Sequence, residues 1–251
     1  FSLSLESKIV NLADKVINVS PLSTKNYEEI FQVDRSKLLT ITNGYDEMDF
    51  NNLKTNEKQD REYFTLFHNG LFYMIRTPET IIRAINNLIS SGKIEKEKIK
   101  VDLGWTENQE YWEKFIKNYN LQDIVFFGGY LEHNESLEKA QEMDALILVV
   151  GPGEKNKVTI PGKFFEYLRL QKPILSLSPK GGVVDQLITE LKRGINVEHE
   201  DIEAIEQAIL TMYNDWQNGN IGPYDINEDI KQFERKNLTK KLANVFNELI
   251  E

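Results

Sequence analysis

Val158-Thr-Ile-Pro-Gly-Lys-Phe-Phe-Glu-Tyr-Leu-Arg-Leu-Gln-Lys-Pro-Ile-Leu175 reads as a loop, a short helix opened by Pro161, and a buried strand from Pro173 to Ser178. Proline in the first helical turn costs no hydrogen bond, and Gly162 beside it leaves the backbone amides open to a ligand. Helix N-termini favour anions, because the free N–H groups and the macrodipole both face the incoming charge. Lys163 adds a full positive charge at that end. Glu166 lies one turn on, on the same face, while Phe165 and Leu168 point elsewhere and can bury. Amides for phosphates with a carboxylate one turn behind, for ribose hydroxyls, suit a nucleotide. Taken alone, Glu166 reads more readily as an ordinary solvated helix residue.

Working outward, apolar strands and amphipathic helices alternate, which predicts a parallel, doubly wound α/β sheet from about residue 60 to 216. The expected strands are Tyr63 to Phe67, Ile99 to Leu103, Asp123 to Phe127, Asp144 to Val150, Pro173 to Ser178 and Gly194 to Val197. Between them, Thr77-Pro-Glu79 predicts a capped helix with Ile81, Ile82, Ile85, Leu88 and Ile89 inside. Tyr111, Trp112, Phe115, Ile116 and Tyr119 mark a second helix, Asn134 caps a third, and Asp201 a fourth. Ligands in such sheets sit beyond the carboxyl ends of the strands, so the loops beginning at His68, Gly128, Gly151 and Ser178 are the candidate site.

The 251 residues suffice for one large or two modest domains, and 40% hydrophobic with 28% charged residues is a globular composition. A net charge of −10 argues against a nucleic-acid backbone or an anionic membrane as the main partner. The absence of cysteine excludes disulfides and thiolate metal sites, and three scattered histidines give no support to a metal cluster. No Gly-x-Gly-x-x-Gly or phosphate-loop motif is present, which lowers a dehydrogenase or nucleoside-triphosphatase reading. With no membrane span or signal peptide in the sequence, a cytoplasmic location is expected, peripheral membrane attachment being left open. A chain that opens on Phe1 reads as a piece of a longer protein or a processed product.

Pro161-Gly-Lys-Phe-Phe-Glu166-Tyr-Leu with Lys172-Pro-Ile-Leu resembles the nucleotide-sugar motif of GT-B glycosyltransferases, family four in particular. The resemblance covers nearly the whole chain but only the C-terminal, donor-binding half of that fold. It implies that Glu166 binds the donor ribose and that Gly162 and Lys163 face the diphosphate. Many members carry a second Glu eight positions earlier, near the transferred sugar; here that position is Val158. His68-Asn-Gly70 with Arg76 resembles the first donor-domain loop, which implies phosphate contacts for Gly70 and Arg76; a guanidinium pairs bidentately with phosphate. The Lys that many relatives add after the Arg has no counterpart in Thr77 to Thr80, and Arg76 also reads as a surface residue before a helix. His68 reads as a hydrogen-bonded structural residue.

Phe127-Gly-Gly-Tyr130-Leu-Glu-His133 resembles the base-holding loop, implicating Gly129 and Tyr130, although Tyr130 can equally pack under its own loop. Lys180-Gly181-Gly182 resembles the glycine turn beside sugar and diphosphate, and reads equally as a plain turn. Asp144 reads as structural.

The resemblance divides the chain into the tail of an acceptor-side domain with the domain junction (1–46), a nucleotide-sugar-binding Rossmann-like domain (47–225), and terminal amphipathic helices (226–251). Val16 to Val19, the helix to Phe31 and Asn43-Gly-Tyr-Asp46 carry the first part, a strand without its pairing partners. The terminal helices carry Ile230, Phe233, Leu238, Leu242, Val245, Phe246 and Leu249, and would cross back to an absent N-terminal domain.

The implied activity is sugar transfer from a nucleotide diphosphate sugar to a hydroxyl of a glycan, lipid or small-molecule acceptor. Retention is implied, with no cofactor and no metal. The catalytic groups stay unassigned; this portion alone is expected to be inactive and prone to self-association. The rival is a non-catalytic nucleotide- or sugar-binding module of the same ancestry. A third reading, epimerase chemistry on this fold, lacks the matching carboxylates.

Overall fold

Short apolar runs, buried at every position in the central strands, become the sheet, and 3.6-residue periodicity becomes the helices between them. In the computed structural model, which describes residues 3–51, 53 and 62–250, the chain begins with α1 (Leu3–Leu12), β1 (Val16–Asn18), α2 (Pro21–Phe31) and β2 (Leu38–Thr40). The main unit follows as β3 (Phe64–Phe67), β4 (Leu71–Phe72), α3 (Glu79–Ser90), β5 (Ile99–Asp102), β6 (Trp105–Thr106) and α4 (Gln109–Asn118). It continues as β7 (Val125–Phe126), α5 (His133–Glu142), β8 (Ala145–Val149), α6 (Gly162–Arg169), β9 (Ile174–Leu177) and α7 (Val183–Leu191). After β10 (Gly194–Val197) and α8 (Ile202–Gln217), α9 (Glu228–Lys231) and α10 (Arg235–Ile250) close the chain.

Six strands form one wholly parallel sheet in the order β10-β9-β8-β3-β5-β7. The chain starts in the middle at β3, works outward through β5 and β7, then returns to β8 on the other side of β3. This reversal is the topological switch point, and it leaves a crevice beyond the carboxyl ends of β3 and β8. The doubly wound expectation holds.

Successive strand residues feed opposite faces. Phe64, Leu66, Ile147, Val149, Leu175 and Leu177 pack with Ile81, Ile82, Ile85 and Leu88 of α3 and Ile205, Ile209 and Met212 of α8. Phe67, Leu146, Leu148 and Ile174 pack instead with Leu137 of α5, Phe164, Phe165 and Tyr167 of α6, and Ile188 of α7. Asp144, just ahead of β8, ties that strand to β3: one carboxylate oxygen accepts from the Thr65 amide at 2.8 Å and from its hydroxyl at 2.7 Å. Its structural reading agrees with these bonds.

Several local expectations change. Pro78, with no side-chain bond, stands at the start of α3 in place of a Thr77 cap. Glu132 precedes α5 in place of Asn134, and its amide donates to the Glu135 carboxylate at 3.2 Å. In α4, Trp112 and Ile116 are buried but Tyr111 is exposed, because its ring lies outside the sheet-facing stripe. The strand at Val16 does not lack a partner: β1 and β2 pair in parallel with Val16 opposite Leu38. On α10, Leu238 and Val245 are buried while Phe246 and Leu249 face outward. Tyr63, at the head of the expected first strand, precedes β3 by one residue.

The junction segment closes onto the end of the chain. The Tyr45 amide donates to the Phe233 carbonyl at 3.1 Å, and the Arg235 amide returns a bond to the Tyr45 carbonyl at 2.8 Å. Gly44 permits this contact, since a Cβ there would overlap the Phe233 carbonyl oxygen. Arg169 then clamps Glu47 through two bonds of 2.7 and 2.5 Å. The segment 41–50 is thereby fastened against α6.

Candidate functional site

The helix expected after Pro161 forms as α6. Pro161 precedes α6 in extended backbone and no side chain caps the helix; the Phe164 amide donates to the Pro161 carbonyl at 3.0 Å, and the Gly162 and Lys163 amides ahead of it have no partner among the described residues. Burial of Phe164, Phe165, Tyr167 and Leu168 fixes which face meets the sheet, so Lys163 and Glu166 share the other. Gln171, at φ 61°, ends the helix in the left-handed region ahead of Pro173.

α6 is locked onto the loop after β3 at the switch point. The Tyr167 hydroxyl accepts from the Asn69 amide at 3.1 Å, and the Lys163 ammonium donates to the Asn69 carbonyl. Gly70 makes room for this lysine: a Cβ there would overlap Nζ. His68 Nδ1 lies 3.0 Å from the Ile147 carbonyl. Burial, with Lys163 and Arg76 nearby, lowers the His68 pKa to about 3, so the ring is neutral and Nδ1 carries the donating proton. The structural reading of His68 agrees with this.

One cavity of about 370 Å³ gathers Gly70, Gly129, Tyr130, Lys163 and Glu166, together with Asn69, Gly104, Trp105 and Ser136. A second, of about 450 Å³, lies on the other side of α6 and is bordered by Gly162, Glu166, Asn43 and Arg235. Glu166 therefore stands between them. Its carboxylate makes no hydrogen bond and no ion pair among the described residues; burial holds its pKa above the usual carboxylate range. Burial also depresses Lys163, to about 8. Both groups carry a desolvation cost that the protein itself offsets poorly.

Arg76 and the Gly181-Gly182 turn stand apart from this cavity. Arg76 is engaged: Nε donates to the Val150 carbonyl at 3.0 Å, another guanidinium nitrogen donates to the Tyr73 hydroxyl at 3.0 Å, and its stem lies against Gly151. Gly181, at φ 72°, makes a turn whose amide donates to Asp185 at 2.7 Å, and Gly182 starts α7 against Lys157. Tyr130 neither packs under its loop nor is buried; 65% exposed, it meets the edge of Trp105 with ring centroids 6.0 Å apart.

Trp105, Gly104 and Asp102 carry the site but escape sequence reading. β4 and β6 pair Leu71 with Trp105, a two-residue contact too short for any periodicity to announce. It brings the indole beside Gly70. Among the described residues no three metal-ligating side chains come together, and no helix is long and apolar enough to cross a membrane.

Solved structures share this fold. A glycosyltransferase from Rickettsia africae ESF-5 superposes with a TM-score of 0.74 at 13% identity, over 98% of this chain and 67% of that one. The fold is a Rossmann-like GT-B half. Sucrose-phosphate synthase from Thermosynechococcus elongatus has a TM-score of 0.72 at 17% identity, over 99% of this chain. HepE of Anabaena, crystallised with UDP-glucose, has a TM-score of 0.71 at 15% identity, over 98% of this chain. The chain spans 61% of the synthase and 67% of HepE. No family model matches the sequence, and no curated protein sequence does.

Proposed function

We propose that this GT-B half binds a nucleotide diphosphate sugar and forms the donor-binding portion of a glycosyltransferase that moves the sugar to an acceptor hydroxyl, with retention and without a metal. The unpartnered, half-buried Glu166 carboxylate carries the reading. Neutral ribose hydroxyls can donate to it without changing the net charge of the pair. Beside it, Lys163 and the open amides of α6 suit the diphosphate, and Trp105 with Tyr130 offers an aromatic flank for the base. These groups would act on a departing nucleotide diphosphate by positioning and by electrostatic stabilisation. HepE, a fold neighbour, is crystallised with UDP and with UDP-glucose, which supports this donor class.

Within this proposal residues 1–46 belong to an acceptor-side domain and its junction, 47–225 bind the donor, and 226–251 return toward that domain. Arg76, Gly181 and Gly182 are assigned to the outer phosphate and sugar side. Exposed Leu5, Ile9 and Leu12 on α1, and Phe246 and Leu249 on α10, support self-association of the chain on its own.

Calorimetric titration with UDP, GDP and ADP is the test: one of them binds, and no binding by any of the three overturns the proposal. Incubation with UDP-glucose and hydroxyl acceptors then reads transfer, which is expected to be absent from this chain alone. A non-catalytic module of the same ancestry is the second reading. One observation favours it: Glu166 is the single carboxylate bordering either cavity among the described residues.

A further inference from the structure

Asp102 ends β5 and is 3% exposed, yet it lies outside the lining of the cavity. One carboxylate oxygen accepts from the Gly104 amide at 2.9 Å and from the Gly128 amide at 3.0 Å. The other pairs with the Lys139 ammonium, which reaches in from α5 across the Phe67 ring at 5.1 Å. The Asp102 backbone carbonyl also accepts from the His68 amide at 2.8 Å. Three carboxyl-end loops and one helix thus meet on a single residue.

The meeting point has no slack. At Gly128 a Cβ would overlap both the Asp102 carboxylate and the Lys139 ammonium. At Gly104, where φ is 62°, a Cβ would fall 2.5 Å from the Gly70 carbonyl oxygen. The Gly129 amide adds a 2.9 Å bond to the Gly104 carbonyl. The residues that follow these two anchored glycine turns are Trp105 and Tyr130, the aromatic flank of the cavity.

An ionised carboxylate accepts at every lone pair, so it takes both amides and the ammonium at once. An asparagine in its place would keep the amide contacts but turn an NH₂ toward Lys139. The side chain therefore has to be charged, and its charge has to be met.

We propose that Asp102 is the positioning residue of the base side of this cavity: neutralised by Lys139, its carboxylate fixes the gap between the Gly104–Trp105 and Gly128–Tyr130 loops, and with it the affinity for a nucleobase. This inference rests on the nucleotide reading above. It separates the two sides of the cavity, because Lys163 and the amides of α6 make no contact with Asp102.

The experiment compares wild type with Asp102→Asn, Lys139→Met and Lys139→Arg. Calorimetry measures the dissociation constant of the tightest binder among UDP, GDP and ADP, and that of inorganic pyrophosphate, on protein shown to be folded by circular dichroism. Asp102→Asn and Lys139→Met are expected to weaken the nucleotide about tenfold while changing pyrophosphate less than about twofold, and Lys139→Arg to restore most of the loss. Should Asp102→Asn fail to fold, the two Lys139 variants decide alone. Equal weakening of nucleotide and pyrophosphate would mean a general loosening and would overturn the proposal, as would unchanged nucleotide affinity. Wild type that binds none of the three nucleotides overturns the functional reading first, an outcome distinct from wild type that binds and variants that do not differ from it.

Discussion

One carboxylate and one ammonium lie behind the wall of the cavity formed after β5 and β7, another such pair lines the α6 wall, and the two pairs are used in opposite ways. On the β5–β7 wall Asp102 has three donors around it and meets Lys139 directly. On the α6 wall Lys163 reaches only a carbonyl, and Glu166 has no hydrogen bond among the described residues. A satisfied buried pair holds structure, whereas unsatisfied half-buried charges await a partner. Under the proposed function, the first wall builds the cavity and the second binds the nucleotide.

The comparison breaks most visibly through stability. Asp102→Ala, which strands Lys139 and two loop amides, should lower unfolding free energy by about 3–5 kcal/mol in denaturant titrations. A loss comparable to that of a surface substitution would erase the distinction between the walls. On the α6 wall the effect should move from folding to binding. Lys163→Ala is expected to weaken a nucleoside diphosphate by about 2 kcal/mol, roughly thirtyfold, and a monophosphate by less, in paired calorimetric titrations.

Glu166→Gln should cost about tenfold in nucleotide affinity while leaving the melting temperature unchanged or raised, since it removes a desolvated charge that the protein does not pair. A lower melting temperature would return Glu166 to a structural role. Smallest and most diagnostic is the pH dependence of Lys163. Its folded pKa of about 8 lies below the ordinary 10.5, so the unfolded chain binds more protons between those values. This residue's contribution to stability therefore rises with pH through that window, while its help to an anion falls. Diphosphate affinity should decline up to about tenfold between pH 7 and 9 in wild type and stay flat in Lys163→Ala.

Much of the site was open to sequence reading because it is local. Gly162, Lys163 and Glu166 sit in one helical turn, and helix periodicity alone puts them on one face. Gly70, Gly129 and Tyr130 follow apolar strands directly, and the structure gathers them with Lys163 and Glu166 in one cavity. Arg76 was harder to place: its charge suggests a phosphate, but the Val150 carbonyl and the Tyr73 hydroxyl occupy part of its guanidinium. Sequence favours Asn134 as the cap of α5 because asparagine is the better capping residue, whereas the helix starts after Glu132, whose amide donates to Glu135.

The alternation of buried strand and amphipathic helix, and hence a parallel, doubly wound sheet, is written in the residue order, because each pattern is read over a few neighbouring residues. Pro161 and Gly162 also place the start of α6, with Lys163 in its first turn. Only the tertiary structure decided that β3 lies between β8 and β5, which opens the crevice where these loops converge. It alone joined Asp102 to Lys139, 37 positions away, and Trp105 to the loop of Gly70. Those contacts depend on strand order and on burial shared among distant segments, and no local pattern of residues encodes either.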